Sequence, residues 1–216
     1  MVRGVKKALL KFAVVRALRY VIAYVGGVNA LLATTYSLML THAPSVVQEG
    51  VKGIEALARV YVALLYNIAG YEVLVFIAPW IASGFITGFI AGSKLRGAIS
   101  SLLVALIPVA ITALLSSGVI AYDVEPFTKL VSQTGNDVIA NVSNILTKVV
   151  GGGYEVLLTS EYMVKFYIIL ATLALAGVAG GYLGGLARRY IKYILYVLGV
   201  AVAVALGVVV WLLIRV

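Results

Sequence analysis

Charged residues in this chain lie mostly between long apolar stretches, and this spacing limits the chain to helices that cross a membrane. Of the 216 residues, 63% are apolar and 12% are charged, and the mean hydropathy is +1.10. Soluble domains are closer to half apolar and a quarter charged. A chain of this size cannot bury such an excess away from water, because small domains leave much of their surface exposed. The sequence therefore predicts an all-α, polytopic integral membrane protein.

About five stretches have the roughly 20 apolar residues that a membrane-spanning helix requires. They are Arg19–Thr41, Glu72–Gly92, Gly97–Gly118, Tyr162–Ala187 and Tyr190–Leu213. The links between the second and third stretches, and between the fourth and fifth, are short and basic, so we expect two hairpins with tight turns. Pro108 predicts a bend in the third span. Asn29, a polar residue inside the first span, is expected to bond to a neighbouring helix.

The basic residues are divided unevenly between the two sides that these spans define. One side carries 11 of the 17 lysines and arginines and no acidic residue, whereas the other carries 6 of them with all 8 acidic residues. The positive-inside rule places the first side in the cytoplasm. The sequence thus predicts a multi-pass protein of the cell membrane with a cytoplasmic N-terminus and an external C-terminus.

The net charge of +9 is accounted for by this topology, so nucleic-acid binding is not indicated. Membrane lipids are expected partners, with anionic headgroups next to the lysines and arginines of the cytoplasmic face.

A five-residue segment, Gly-Tyr-Glu-Val-Leu, occurs at 70–74 and again at 153–157, each time ahead of a predicted hairpin. Upstream of each copy, in Ser45–Ile68 and Phe127–Val150, apolar residues recur with a helical period. This pattern predicts two external amphipathic helices that lie on the membrane or cap the bundle. We expect residues 1–41 to form a basic cytoplasmic N-terminus and an anchor helix. Two parallel repeats at 42–120 and 121–216 would follow, each an external helix plus a transmembrane hairpin.

Glycines recur at four-residue spacing in three of the predicted spans. Small residues at this spacing allow helix backbones to pack closely in lipid. Packing within the chain, an interface with other subunits or with copies of this chain, and the lining of a pore are all compatible with the pattern. The predicted helix-packing positions are Gly84, Gly88, Gly92, Gly177, Gly181, Gly185, Gly199 and Gly207.

Glu72 and Glu155 occupy equivalent positions in the two repeats, at the external ends of predicted helices. A carboxylate near a helix N-terminus is favoured by the helix dipole. Alternatively, the two carboxylates would face a shared outer vestibule. The chain has one histidine and no cysteine, so we expect no metal site, no cofactor and no catalytic residues.

These features favour a non-enzymatic membrane subunit that packs through its glycine-rich helix faces into a larger assembly, for export, secretion or macromolecule transfer. Such a subunit would contact other membrane subunits or form a homo-oligomer. The alternative is a passive channel or small-solute transporter formed by the two repeats, with Glu72 and Glu155 at its entrance. The predicted spans carry no ionisable residue near their middle, where coupled transporters usually need one.

Overall fold

The computed structural model describes residues 2–42, 56–69, 73–119 and 137–190, together with a few isolated positions between them. Every regular element in these ranges is helical, which confirms the predicted all-α class there. The helices are α1 (Val2–His42), α2 (Ala56–Ala69), α3 (Val73–Ala91), α4 (Lys94–Leu102), α5 (Leu106–Ser116), α6 (Asp137–Val150) and α7 (Ser160–Tyr190), with 3₁₀ segments at Leu103–Ala105 and Tyr154–Leu158.

Three stretches of helix are long and apolar enough to cross a membrane: Ala17–Thr41, Lys94–Ser116 and Glu161–Arg188. They match the first, third and fourth predicted spans. The second predicted span forms α3, whose apolar part, Phe76–Ala91, is shorter. The fifth, Tyr190–Leu213, lies beyond the described residues except for Tyr190. Three helices therefore support the membrane class, and the number of five spans stays a prediction.

The helix α3 is packed between α1 on one side and α4 and α7 on the other. It runs parallel to α7, because Gly84 lies against Leu173 and, one turn later, Gly88 lies against Gly177. The tight turn predicted after α3 is confirmed, since only Gly92 and Ser93 separate α3 from α4. Gly92 has φ +65°, a left-handed conformation that ends helices and that glycine adopts without a steric penalty.

The span formed by α4 and α5 changes to 3₁₀ geometry at Leu103–Ala105. Pro108 has no N–H to donate to the carbonyl of Val104, and the proline ring crowds that carbonyl. The regular α-helical bonding pattern therefore cannot continue through this turn, and a short 3₁₀ segment takes its place. The irregularity lies within about one turn of the predicted bend.

The helices α2 and α6 pack on each other and on α5, and they cover one end of the bundle. The helix α6 is one-sided, as predicted, with Val142 and Leu146 buried and Asp137 and Lys148 exposed. The helix α2 differs, because seven consecutive residues, 61–67, are all buried. A helix that is enclosed all round belongs to the core. The described part of the first external segment is thus not a surface-lying amphipathic helix.

Several polar side chains of α1 bond to their own helix, whereas the hydroxyl of Thr35 is buried without a hydrogen-bond partner among the described residues. Asn29 donates a 2.6 Å hydrogen bond to the carbonyl oxygen of Val25, so the prediction that it bonds a neighbouring helix is wrong. Thr34 and Ser37 make the same bond to the carbonyl four residues earlier. Short polar side chains can reach these carbonyls in a helix, and the bonds satisfy the polar groups without a partner helix.

Candidate functional site: a glycine seam between two charged ends

The backbones of α3, α4 and α7 touch along a row of glycines, which we name the glycine seam. A Cβ added at Gly84 would lie 2.9 Å from the carbonyl oxygen of Leu173, and one added at Gly88 would overlap the backbone of Gly177. A Cβ at Gly184 would overlap the carbonyl of Phe89. No side chain fits at these positions unless the helices move apart. The seam consists of Gly84, Gly88, Gly92, Gly97, Gly177, Gly180, Gly181, Gly184 and Gly185.

The helix α4 closes the second side of the seam. A Cβ at Gly177 would lie 2.7 Å from the carbonyl oxygen of Gly97 and would also overlap the Ser101 hydroxyl. Ser101 donates a buried 2.8 Å hydrogen bond to the carbonyl oxygen of Leu173. Close backbone contact and hydrogen bonds between helices are the forces that associate helices in lipid. Both act here between α4 and α7.

Six of the eight predicted glycines come together within the chain. Gly84 and Gly88 of α3 and Gly92 of the turn that follows it lie along α7, and Gly177, Gly181 and Gly185 of α7 lie along α3, this turn and α4. These faces are therefore turned toward each other, and any role as an interface with another chain stays a prediction. Gly199 and Gly207 lie outside the described residues.

Gly97 belongs to the seam, although we did not predict it as a packing position. Its signal in the sequence was the spacing Gly97-xxx-Ser101, a pair of small residues one turn apart on the same helix face.

One end of the bundle, the basic end, carries Arg19, Lys94, Arg96 and Arg188. Arg188 of α7 donates to the carbonyl oxygen of Ile90 in the last turn of α3. A cation at a helix C-terminus satisfies a carbonyl that the helix leaves unpaired, and the helix dipole favours it. Within the described part of the chain, the Nε of Arg188 is buried without a hydrogen-bond partner.

Further positive charge surrounds Arg188. Arg19 and Arg96 lie close enough to Arg188 for their positive charges to repel its guanidinium. Lys94 lies with its Nζ 4.7 Å from the ring centre of Tyr182, a cation–π distance. The helices that meet at this end bring no carboxylate, because the sequence has no acidic residue in 1–48, in 73–122 or after 161.

The opposite end of the bundle, the acidic end, repeats the arrangement with a counter-charge. Lys165 of α7 donates a 3.1 Å hydrogen bond to the carbonyl oxygen of Ile68, in the last turn of α2. Its Nζ also lies 3.1 Å from the carboxylate of Glu161. A cation of α7 therefore reaches the C-terminus of a neighbouring helix at each end. Of these two described cations, only Lys165 has a carboxylate beside it.

Glu155, one of the two predicted vestibule residues, is exposed in the 3₁₀ segment that precedes α7. The first turn of α7 instead contains Glu161. The favourable position near the helix N-terminus thus belongs to Glu161. Glu72 lies outside the described residues, so the pairing of Glu72 with Glu155 stays a prediction.

Buried hydrogen bonds join α2 to the spans near the acidic end, and these were not predicted. The indole Nε1 of Trp80 donates a 2.5 Å bond to Asn67, whose amide donates a 3.3 Å bond to the carbonyl oxygen of Phe76. The hydroxyls of Tyr61 and Thr112 lie 2.7 Å apart. Burial raises the pKa of Tyr61 to about 12, although the bond to Thr112 acts in the opposite direction. The available signal was Asn67, a lone amide in an apolar run.

A cavity of about 430 Å³ lies between α5, α7 and the segment Tyr154–Leu158. Its walls are mainly apolar and include Trp80, Pro108 and Phe166, with the hydroxyls of Thr112 and Ser116 among its few polar groups. A site of this size and character suits an apolar molecule.

Comparison with protein-family models, with curated proteins and with solved structures finds no match for this chain. The fold and its sites are therefore interpreted from their own geometry.

Proposed function

We propose that this chain is a non-enzymatic integral membrane subunit of the cell membrane, which forms a rigid part of a larger assembly for export, secretion or macromolecule transfer. The glycine seam carries this proposal. Its backbone contacts join α3 and α4, from the predicted first repeat, to α7, from the predicted second repeat.

A carrier that works by alternating access must move one repeat against the other. Sliding α7 along α3 by part of a turn would remove the glycines from the carbonyls of Phe85 and Phe89 that they now accommodate. The side chains next to the glycines would then meet those carbonyls. A closed seam of this kind suits a static scaffold better than a moving carrier.

Contacts with partner subunits would use the faces that the seam leaves outside. One exposed apolar row runs along α4, the 3₁₀ segment and the start of α5, and a second runs along α7. The first consists of Leu95, Ile99, Leu103 and Leu106, and the second of Leu175, Tyr182 and Leu186. The predicted small-residue strip at Gly199 and Gly207 would add a further contact. Lipid would cover whichever row a partner leaves free.

The absence of cysteine from the chain allows a direct test by cross-linking. We would introduce Leu103→Cys or Leu175→Cys, with Asn144→Cys on the exposed face of α6 as the matched control. After cross-linking in native membranes and gentle extraction, native mass spectrometry would identify the attached chains. We expect one row to cross-link to the same polypeptide at a fixed ratio. A lipid-bound monomer with no cross-link from either row would contradict the proposal.

The second candidate is a passive carrier for apolar solutes, and the cavity between α5 and α7 favours it. Glu155 belongs to the segment that lines one side of this cavity, near the predicted entrance. Ala113→Trp at the exposed rim would obstruct the cavity. If the chain is a carrier, liposomes that contain it should take up a fluorescent apolar solute, and Ala113→Trp should slow this uptake. Uptake equal to that of protein-free liposomes would exclude this candidate.

A further inference from the structure

We propose that Arg19, Arg96 and Arg188 form a binding site for the phosphate group of an anionic phospholipid at the basic end of the bundle. The site does not depend on the assembly proposed above.

The packing of α1 on α3 brings the three arginines to one level. Gly27 of α1 lies against Ser83 and Thr87 of α3. The two helices run in opposite directions. Arg19, which comes before Gly27 in α1, is close enough to repel Arg188, and Arg188 lies at the C-terminus of α3. Arg19 precedes Gly27 by eight residues, about 12 Å along the helix. That distance places Arg19 beside the turn at Gly92, which Arg188 covers and which Arg96 follows by four residues.

Among the residues that the structure describes, the three arginines have no carboxylate beside them. The nearest acidic residue on α7 is Glu161, which lies about 40 Å from Arg188 along the helix, and α1, α3 and α4 contain none. Like charges that face each other repel, and an anion among them removes this repulsion. Arginine offers several donors in a planar fork that matches a phosphate group.

The position of the site favours a lipid over a soluble phosphate. The three arginines lie at or near the limits of the membrane-spanning stretches, which begin at Ala17 and Lys94 and end at Arg188. This is the level of the headgroups in a bilayer, where basic pockets between helices bind anionic lipids. An exposed leucine lies within two residues of each arginine, so apolar surface for acyl chains adjoins the charged groups: Leu18, Leu95 and Leu186.

The test measures the binding of phosphatidylglycerol and of phosphatidylcholine to the full-length protein by native mass spectrometry. The variant Arg19→Gln/Arg96→Gln leaves Arg188 in place, because Arg188 also supports the end of α3. The matched control, Lys129→Gln/Lys148→Gln, removes the same charge from exposed lysines elsewhere in the chain. Circular dichroism and thermal unfolding would establish that both variants fold.

We expect the wild type to prefer phosphatidylglycerol by about tenfold or more, and the arginine variant to bind it about thirtyfold more weakly. The lysine variant should bind as the wild type does. Equal binding of the two lipids by the wild type, or equal losses in both variants, would overturn the proposal. Displacement of the lipid by millimolar inorganic phosphate would overturn the assignment to a lipid, since a free anion would then suffice.

Discussion

The half of the bundle near the basic end and the half near the acidic end are held together in opposite ways. In the first half, glycines bring the backbones of α3, α4 and α7 into direct contact. In the second half, large side chains fill the space between helices, and buried hydrogen bonds connect several of them. We name this region the side-chain layer; it includes Trp80, Tyr61 and Leu115. The same half contains the cavity of about 430 Å³.

One chain thus uses two kinds of helix packing at successive levels of the same bundle. Most positions of the glycine seam leave no room for even one methyl group, because their contacts involve backbone atoms, which cannot change rotamer. A layer of large side chains can adjust, so it tolerates empty space and small changes in volume. The two halves should therefore respond differently to similar substitutions.

The seam should show the largest loss of stability. Gly177→Leu would place a side chain between α3 and α4, and we expect it to abolish the folded protein in detergent. Gly88→Ala should cost about 2 kcal/mol, because one methyl group would overlap the backbone of Gly177. Gly151→Ala is the control, since its Cβ would lie 3.4 Å from the carbonyl oxygen of Thr147, an ordinary contact. Equal melting temperatures of Gly88→Ala and Gly151→Ala would contradict the close backbone contact at Gly88.

The side-chain layer should respond next, through its buried amide. Asn67→Leu would leave the indole N–H of Trp80 and the carbonyl of Phe76 without their present partner, at a cost of about 2–4 kcal/mol. The control Asn144→Leu changes an exposed amide on α6 and should stay within about 0.5 kcal/mol. The fluorescence of Trp80 in a Trp211→Phe background should also shift. Unchanged stability and emission would show that this bond does not hold α2.

The sequence indicated most positions of the glycine seam, because small residues at four-residue spacing favour close contact between helices. The pattern did not identify the contacting helix, however. Parallel packing of α3 on α7 depends on a register in which Gly88 meets Gly177, and spacing within one helix carries no information about that register. The turn at Gly92 and the break before Pro108 are local effects of single residues, so the sequence could indicate both.

The packing of the side-chain layer could mostly not be predicted from the sequence. The apolar pattern of the first external segment predicted an amphipathic helix, yet residues 61–67 of α2 are buried all round. The pattern records which residues are apolar but not that α6 covers them. The capping bonds of Lys165 and Arg188 were hidden for a similar reason, since each joins residues 97 or 98 positions apart. Asn29 was misjudged because its bond is local.

A matched pair of enlargements would compare the two halves directly. Ala176→Leu adds volume next to Gly84 in the seam and should cost about 1–3 kcal/mol. Ala105→Leu adds the same volume at a buried residue that lines the cavity, so we expect a change within about 1 kcal/mol, of either sign. Thermal unfolding of both variants in the same detergent gives the comparison. Equal losses would mean that the cavity half is packed as rigidly as the seam.

The smallest expected effect concerns the buried hydroxyl of Tyr61 in the side-chain layer. Tyr61→Phe removes the bond to Thr112, and Thr112 keeps its bond to the carbonyl of Pro108, so the cost near neutral pH should be about 1 kcal/mol. The pKa of Tyr61 is raised to about 12 from an ordinary value near 10, so the folded state favours the neutral phenol. The stability that this preference contributes is fully present below pH 10 and is lost as the pH rises toward 12. The wild type should therefore lose its advantage over Tyr61→Phe between pH 10 and pH 12, as measured by parallel melts. A constant difference across that range would mean that Tyr61 ionises as easily in the folded protein as in the unfolded chain.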